Sequence, residues 1–238
     1  MTKKFNVFII LLISTTILSG CLYPDSELSK NQIPYLDQLQ SVQTAVNQFQ
    51  EDEGGILPIK TKDAETPIYQ KYLVDFSRIA PRYLAEPPGN SFENGGIYQY
   101  VLVDVEENPT VRVFDLRIAE RIREINLRIK ANGYPPYDEI LARNVYSLDF
   151  SKIGYDTPPT VVSPFTGLEL PFVVNGQGEL FVDYRADLYQ LLRENDYDIE
   201  PGEDIRWILV EDSVFVPAYS LPYTVESNSD EPIFMTEK

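Results

Sequence analysis

Apolar residues recur at spacings of three and four from Ile33 through Leu36, Leu39, Val42 and Val46 to Phe49, with Asp37, Gln38, Gln40, Gln43, Asn47 and Gln48 between them. That period predicts a one-sided helix. Gly54-Gly55 and then Pro58 predict where it stops. Residues 60–71 are charged and show no period. A short extended segment after Tyr72 leads into the turn Pro87-Pro88-Gly89-Asn90. Beyond it, Ile97 to Val105 is rich in Val, Ile and Tyr, and Val111, Val113 and Leu116 follow across Glu107-Asn108-Pro109. The pattern predicts a hairpin.

A second cycle then begins. Ile118, Ile122, Ile125 and Ile129 carry the helical period, and Gly133 with Pro135-Pro136 closes it as before. Leu116, Ile118, Ile125, Leu127 and Ile129 also fit an alternating strand, but the intervening Arg and Glu residues and the length favour helix. Segments of the first cycle return in the second in the same order. Asp75-Phe76-Ser77-Arg78-Ile79 returns as Asp149-Phe150-Ser151-Lys152-Ile153, and Tyr83 with Pro87-Pro88 as Tyr155 with Pro158-Pro159. The turn through Asn90, Phe92 and Gly95 returns as Ser163, Phe165 and Gly167. Val113-Phe114-Asp115-Leu116-Arg117 returns as Phe181-Val182-Asp183-Tyr184-Arg185. An internal repeat is the simplest reading. The second copy has its own turn signal, Asn175-Gly176-Gln177-Gly178, between Val173-Val174 and Leu180 to Val182.

The end of the chain follows neither pattern. Asp187, Leu188, Leu191 and Leu192 predict a short helix, and acids surround Pro201-Gly202. Ile205 to Val210 and Val214 to Val216, across Glu211-Asp212-Ser213, predict a hairpin containing the one tryptophan, Trp207. Residues 225–238 predict a flexible tail. The expected fold class is therefore α+β: a helix-plus-sheet unit over 33–115, a second over 116–186, and a short helix with a C-terminal hairpin over 187–224.

The N-terminus carries the one segment with nameable chemistry. Lys3 and Lys4, an apolar run from Val7 to Ile13, and then Leu18-Ser19-Gly20-Cys21 form the pattern of a signal peptide over 1–20 ending in a lipobox. Val7 to Leu18 is too short to span a bilayer, which takes roughly 20 apolar residues. The segment resembles bacterial lipoprotein signals, which implies cleavage before Cys21 and a diacylglyceryl group on its thiol. Two acyl chains anchor a protein stably where one does not. Residues 21–32 would be the lipidated tether, and the protein would sit on the outer face of the cell membrane.

Composition limits the partners. The chain has a formal charge of -17, and loss of Lys3 and Lys4 with the signal peptide makes this -19. Such acidity excludes nucleic acid, whose phosphates are met by clustered Lys and Arg. With one cysteine, taken by the lipid, no disulfide supports the fold. The sequence has no histidine, which removes Ser-His-Asp and Cys-His catalysis. Ser151-Lys152 would lie on opposite faces of a strand, and no Ser-x-x-Lys occurs. Gly176-Gln177-Gly178 leads into a strand and not a phosphate-binding helix. The 37 acids single out no glycosidase pair. Sixteen tyrosines could form a binding platform, though Tyr98 and Tyr100, alternating with Gln99, equally fit sheet packing.

Gly55-Ile56-Leu57-Pro58 and Gly133-Tyr134-Pro135 after the helices, with Glu86-Pro87-Pro88-Gly89-Asn90 and Tyr98-Gln99-Tyr100 before the sheet, resemble the head of the major pseudopilin of type II secretion. Ser163-Pro164-Phe165-Thr166-Gly167 is a weaker echo. A prepilin-peptidase site and an apolar first helix half are lacking, so filament assembly is not implied. The resemblance does imply calcium near the sheet loops, with Asp104, Glu106, Glu107 and Asp115 as candidate ligands. The acids Asp196, Asp198, Glu200, Glu203 and Asp204 lack the spacing of an EF-hand. The whole chain also resembles the YphF-type lipoproteins of bacilli, which implies a location and no particular activity. The expected function is a non-catalytic, lipid-anchored module that contacts other envelope proteins. A solute-binding lipoprotein of a transport system is the alternative, and a carboxylate-based hydrolase comes third.

Overall fold

A computed structural model describes residues 36–226 and 231–235. Helix α1 runs Leu36–Asp52 and buries Leu39, Val42, Ala45, Val46 and Phe49, the stripe that the three-four spacing sets out. Gly54 and Gly55 end it with positive φ. Residues 60–71 are irregular apart from one helical turn, α2 (Ile68–Lys71), and a second turn, α3 (Phe76–Ile79), comes after them. Strands β1 (Tyr98–Val103) and β2 (Thr110–Asp115) form the antiparallel hairpin, with Tyr98 opposite Asp115 and Val103 opposite Thr110. Tyr98, Tyr100, Leu102, Val111 and Val113 turn toward α1 and make the first core with its buried stripe. Tyr98 and Tyr100 are thus core residues and no display platform. Leu116, expected at the end of the strand, opens the next helix.

That helix, α4 (Leu116–Asn132), is capped by Asp115 and stopped by Gly133 at φ 95°, a conformation that favours glycine. An unforeseen hairpin, β3 (Tyr137–Ala142) and β4 (Val145–Leu148), comes next. A 3-10 turn covers Phe150–Ile153, so Ser151 and Lys152 lie on a helical turn and not on a strand. Asp149 decides this by accepting from the Ser151 backbone N–H and hydroxyl. Strands β5 (Thr160–Val162), β6 (Glu169–Asn175) and β7 (Leu180–Val182) complete an antiparallel sheet in the order β3-β4-β6, with β5 and β7 both pairing with β6.

Beyond helix α5 (Arg185–Glu194) the structure departs from expectation. The apolar run after Asp204 is a 3-10 turn, Ile205–Trp207, continuing into α6 (Ile208–Glu211), and not a hairpin strand. Its β-branched residues predict strand, but the Asp204 carboxylate accepts from the Arg206 N–H and starts a helical turn. Ile205, Ile208 and Leu209 then fall on one side and are buried in the second core. The terminal hairpin lies further on, between β8 (Tyr223–Val225) and β9 (Pro232–Phe234). The stretch expected to be a flexible tail therefore contains a paired strand, held because Tyr223, Val225 and Phe234 are buried.

The second core gathers α4, the five-stranded sheet, α5, α6 and the terminal hairpin. Phe165 packs against both cores, and one further segment is hydrogen-bonded to strands of each. Residues 214–220 run parallel to β2 through Val113 and Phe215, then parallel to β7 through Val182 and Ser220. The backbone bonds are Val113 N–H to Val214 O (2.9 Å), Val216 N–H to Val113 O (3.0 Å) and Val182 N–H to Tyr219 O (2.8 Å). Val101, Phe114, Val210, Val216 and Ala218 fill the seam between them.

Candidate functional site

Strand alternation places Val101, Val103, Thr110, Arg112 and Phe114 on the face of the β1–β2 hairpin that points away from α1. The seam covers Val101 and Phe114 but stops short of the hairpin tip. There a cleft of about 610 Å³ opens between the hairpin, α2 and α6. This lies within the ~300–1,000 Å³ usual for small-molecule sites. Val103, Arg112 and Val210 line it, with Ile68, Tyr69, Tyr72 and Trp207 as aromatic and apolar walls. The acids of the hairpin loop, Asp104, Glu106 and Glu107, and Glu211 of α6 also line it.

Arg112 is the one cation among the described residues of that lining. It makes no ion pair among the described residues, its Nη1 makes one long bond of 3.3 Å to Val111 O, and its Nε is buried without a hydrogen-bond partner. Burial pulls its pKa below the ordinary arginine value, and no neighbouring carboxylate offsets this. A half-buried guanidinium whose Nε is orphaned and which has no counter-charge calls for an anion.

The surrounding groups are fixed from behind. Asp204 grips the Arg206 guanidinium through Nε and Nη2, the latter at 2.7 Å, and Arg206 lies over the Tyr69 ring at 5.2 Å. Tyr197 meets Trp207 edge-on at 5.5 Å. Burial lifts the Tyr69 hydroxyl to about 12, so it stays a neutral group at physiological pH. The acidic loop is held by Gln43 of α1, whose amide accepts from the Val111 N–H (2.7 Å) and donates to Pro109 O (2.9 Å). One side chain thus supplies both bonds that a neighbouring strand would give.

The candidate calcium ligands do not converge. Asp104, Glu106 and Glu107 share the hairpin loop, whereas Asp115 lies at the far end of β2, opposite Tyr98, with the Arg117 guanidinium on both its oxygens. A β-strand separates its ends, and the register alone parts Asp115 from the loop. Among the described residues no group of three or more His, Cys, Asp or Glu could hold a metal ion, which includes the acids between Asp196 and Asp204. Leu18, Ser19, Gly20 and Cys21 lie outside the described residues. No described helix is long and apolar enough to cross a membrane.

The cleft floor and acidic loop fall inside a segment that comparison with known families recognises. A YphF family N-terminal domain occupies residues 35–115. This YphF domain ends on Asp115, the residue that caps α4. The YphF domain supplies Tyr69, Tyr72, Asp104 and Arg112 to the cleft, while Trp207, Val210 and Glu211 come from beyond it. No match was found to a curated protein or to a solved structure, and neither comparison supports the resemblance to pseudopilin heads.

The sequence points to the acidic loop as part of a calcium site, whose four acids do not come together, and it passes over Arg112. The signal was present, since Thr110-Val111-Arg112-Val113-Phe114 alternates and puts an arginine on one face with Thr110 and Phe114, inside a strand.

Proposed function

We propose that the protein is a non-catalytic, solute-binding lipoprotein, tethered to the outer face of the cell membrane by a diacylglyceryl group on Cys21. The observation that carries the reading is the cleft with Arg112 unpaired on its floor. A purely structural arginine would have its Nε paired, as Arg117, Arg185 and Arg206 have. The YphF domain over 35–115 accords with this reading and carries Arg112 and three of the four cleft acids, Asp104, Glu106 and Glu107. The solute would bind between hairpin and α6, on two parts of the chain that meet at the seam.

Trp207 is the one tryptophan in the chain and lines the cleft, so its emission reports occupancy directly. Titration with a panel of neutral sugars, polyamines, nucleosides and short peptides should give a saturable shift with at least one class. A panel with no shift removes the solute-binding reading. The anchor has its own test: Cys21→Ala should move the protein from the membrane fraction to the medium without changing its melting curve, and unchanged retention would count against lipidation.

Contact with other envelope proteins is a second reading, favoured by strand β3. This strand sits at the edge of the five-stranded sheet and carries Ile140 at 76% exposure beside exposed Tyr134 and Tyr137. Crosslinking in intact cells that recovers nothing above an untagged control would remove it.

The duplication of a helix, loop and hairpin unit belongs to the same proposal. Its support is that matched segments make matched contacts. Asp75 N–H bonds Pro58 O and Asp149 N–H bonds Pro136 O. The Tyr83 hydroxyl donates to Asp52 and that of Tyr155 to Glu124.

A further inference from the structure

We propose that the cleft takes a cationic dipeptide or tripeptide in extended form, its terminal carboxylate on Arg112 and its ammonium groups against Asp104, Glu106, Glu107 and Glu211. This rests on the solute-binding reading above and names the class of solute.

Charge removes the alternatives one at a time. An anion without a cationic group would satisfy Arg112 but would be repelled by the four carboxylates that share the cleft with it. A polyamine would satisfy those carboxylates and leave Arg112, the one cation of the lining, without a counter-charge. A neutral sugar could stack on Tyr69, Tyr72 and Trp207, yet it would leave both signs of charge unanswered. A divalent cation finds no ligand group among the described residues. What remains is a molecule bearing both charges, with the positive in excess.

Register then sets the length. Arg112 stands opposite Val101, and the hairpin reaches its last pair at Val103 and Thr110, two residues nearer the tip, with Asp104 one residue beyond. At about 3.4 Å per residue the cationic floor and the acidic end are roughly 7–10 Å apart along the strand. An amino acid without a charged side chain, whose ammonium and carboxylate share one carbon, cannot reach across that distance. An extended chain of two or three residues spans about 7–10 Å. A carboxylate suits Arg112 because the guanidinium fork can give it two parallel hydrogen bonds.

The test is a titration of the full chain with the tripeptide Lys-Ala-Lys, read by Trp207 emission. The free acid is expected to bind saturably. Its C-terminal amide should bind about tenfold more weakly, the factor that corresponds to one lost charge-assisted hydrogen bond. In Arg112→Gln the acid and amide should bind alike, while Arg112→Lys should restore part of the difference. An acetylated N-terminus should weaken binding in the wild type, and free alanine should not compete. Circular dichroism of both variants separates loss of the anchor from loss of fold. Equal affinity for acid and amide in the wild type overturns the proposal and leaves the solute-binding reading standing. So does a saturable shift with a sugar or polyamine and none with the peptide. If nothing shifts the emission, both fall.

Discussion

Asp187 is the buried acid whose surroundings make the clearest claim about pH. It is 0% exposed, accepts from the Ser163 hydroxyl at 2.7 Å and from the Thr166 hydroxyl, and lies near Asp183. Burial raises its pKa, and the two hydroxyl bonds offset this in part. In the unfolded chain the group titrates at about 3.9. Folding therefore takes up protons between that value and the raised one, and stability falls as pH rises through the window. Asp187→Asn keeps the acceptor oxygen and removes the charge. Its melting temperature should gain on the wild type as pH is raised from about 4 to 7, and a constant difference would show that Asp187 contributes nothing to the profile. Gly96 makes a different demand. A Cβ there would lie 2.1 Å from the backbone carbon and oxygen of Asn90, so Gly96→Ala should cost about 2–3 kcal/mol in chemical denaturation by prising apart the turn that leads into β1. Neither residue stands out in the sequence, because burial of an acid and close approach of two backbones are properties of the packed chain. Gly54-Gly55 and Gly133 were legible, since a glycine after a periodic run has a local meaning.

Helices in this protein start on aspartates of one design. Asp115, Asp183 and Asp204 each accept from the backbone N–H two residues on and grip the arginine of that same residue, Arg117, Arg185 or Arg206. Cap and ion pair thus reside in one Asp-x-Arg tripeptide. Asp183→Ala should cost more than Asp115→Ala, about 2 against about 1 kcal/mol by urea denaturation. The reason is that Asp183 is the more buried and leaves Arg185, stacked 4.4 Å from Phe234, without its counter-charge. Equal losses would reduce the tripeptide to a simple cap. The same device explains the misread element. Ile205 to Val210 has a strand's composition, and the Asp-x-Arg tripeptides at Asp115 and Asp183 sit in similar sequence segments, Val113 to Arg117 and Phe181 to Arg185, whereas the one at Asp204 does not. That third tripeptide precedes the apolar run and forces a helical start. Periodic helices and the Asn175 to Gly178 turn were readable because each depends on neighbours in sequence. The β3–β4 hairpin was not, since its strand β3 is largely exposed and shows no apolar alternation.

At the scale of the whole molecule the segment 214–220 carries a disproportionate share of the cohesion. Phe215 enters the first core, where its ring lies 5.8 Å from that of Tyr98, while Tyr219 reaches the seam and lies 6.2 Å from Phe114. Deleting the Phe215 ring should cost about 3 kcal/mol. Calorimetry should show one transition in the wild type and two in Phe215→Ala, because the first core would then melt apart from the second. A single, merely lowered transition would show that the other seam residues suffice. No period or motif announced this role. The join is made between residues about a hundred positions apart, and such pairings are settled by topology.

Arg112 and Trp207 face one cleft but are 95 positions apart, on opposite sides of that join. A polypeptide lacking residues 207–235, whether still being synthesised or trimmed by a protease, would own the acidic loop and the Arg112 guanidinium and yet have no opposing wall. Recognition is in this sense the last property the chain acquires. A ligand held across the join would act as a clasp on it, so occupancy should protect the C-terminal third from proteolysis before it changes anything else.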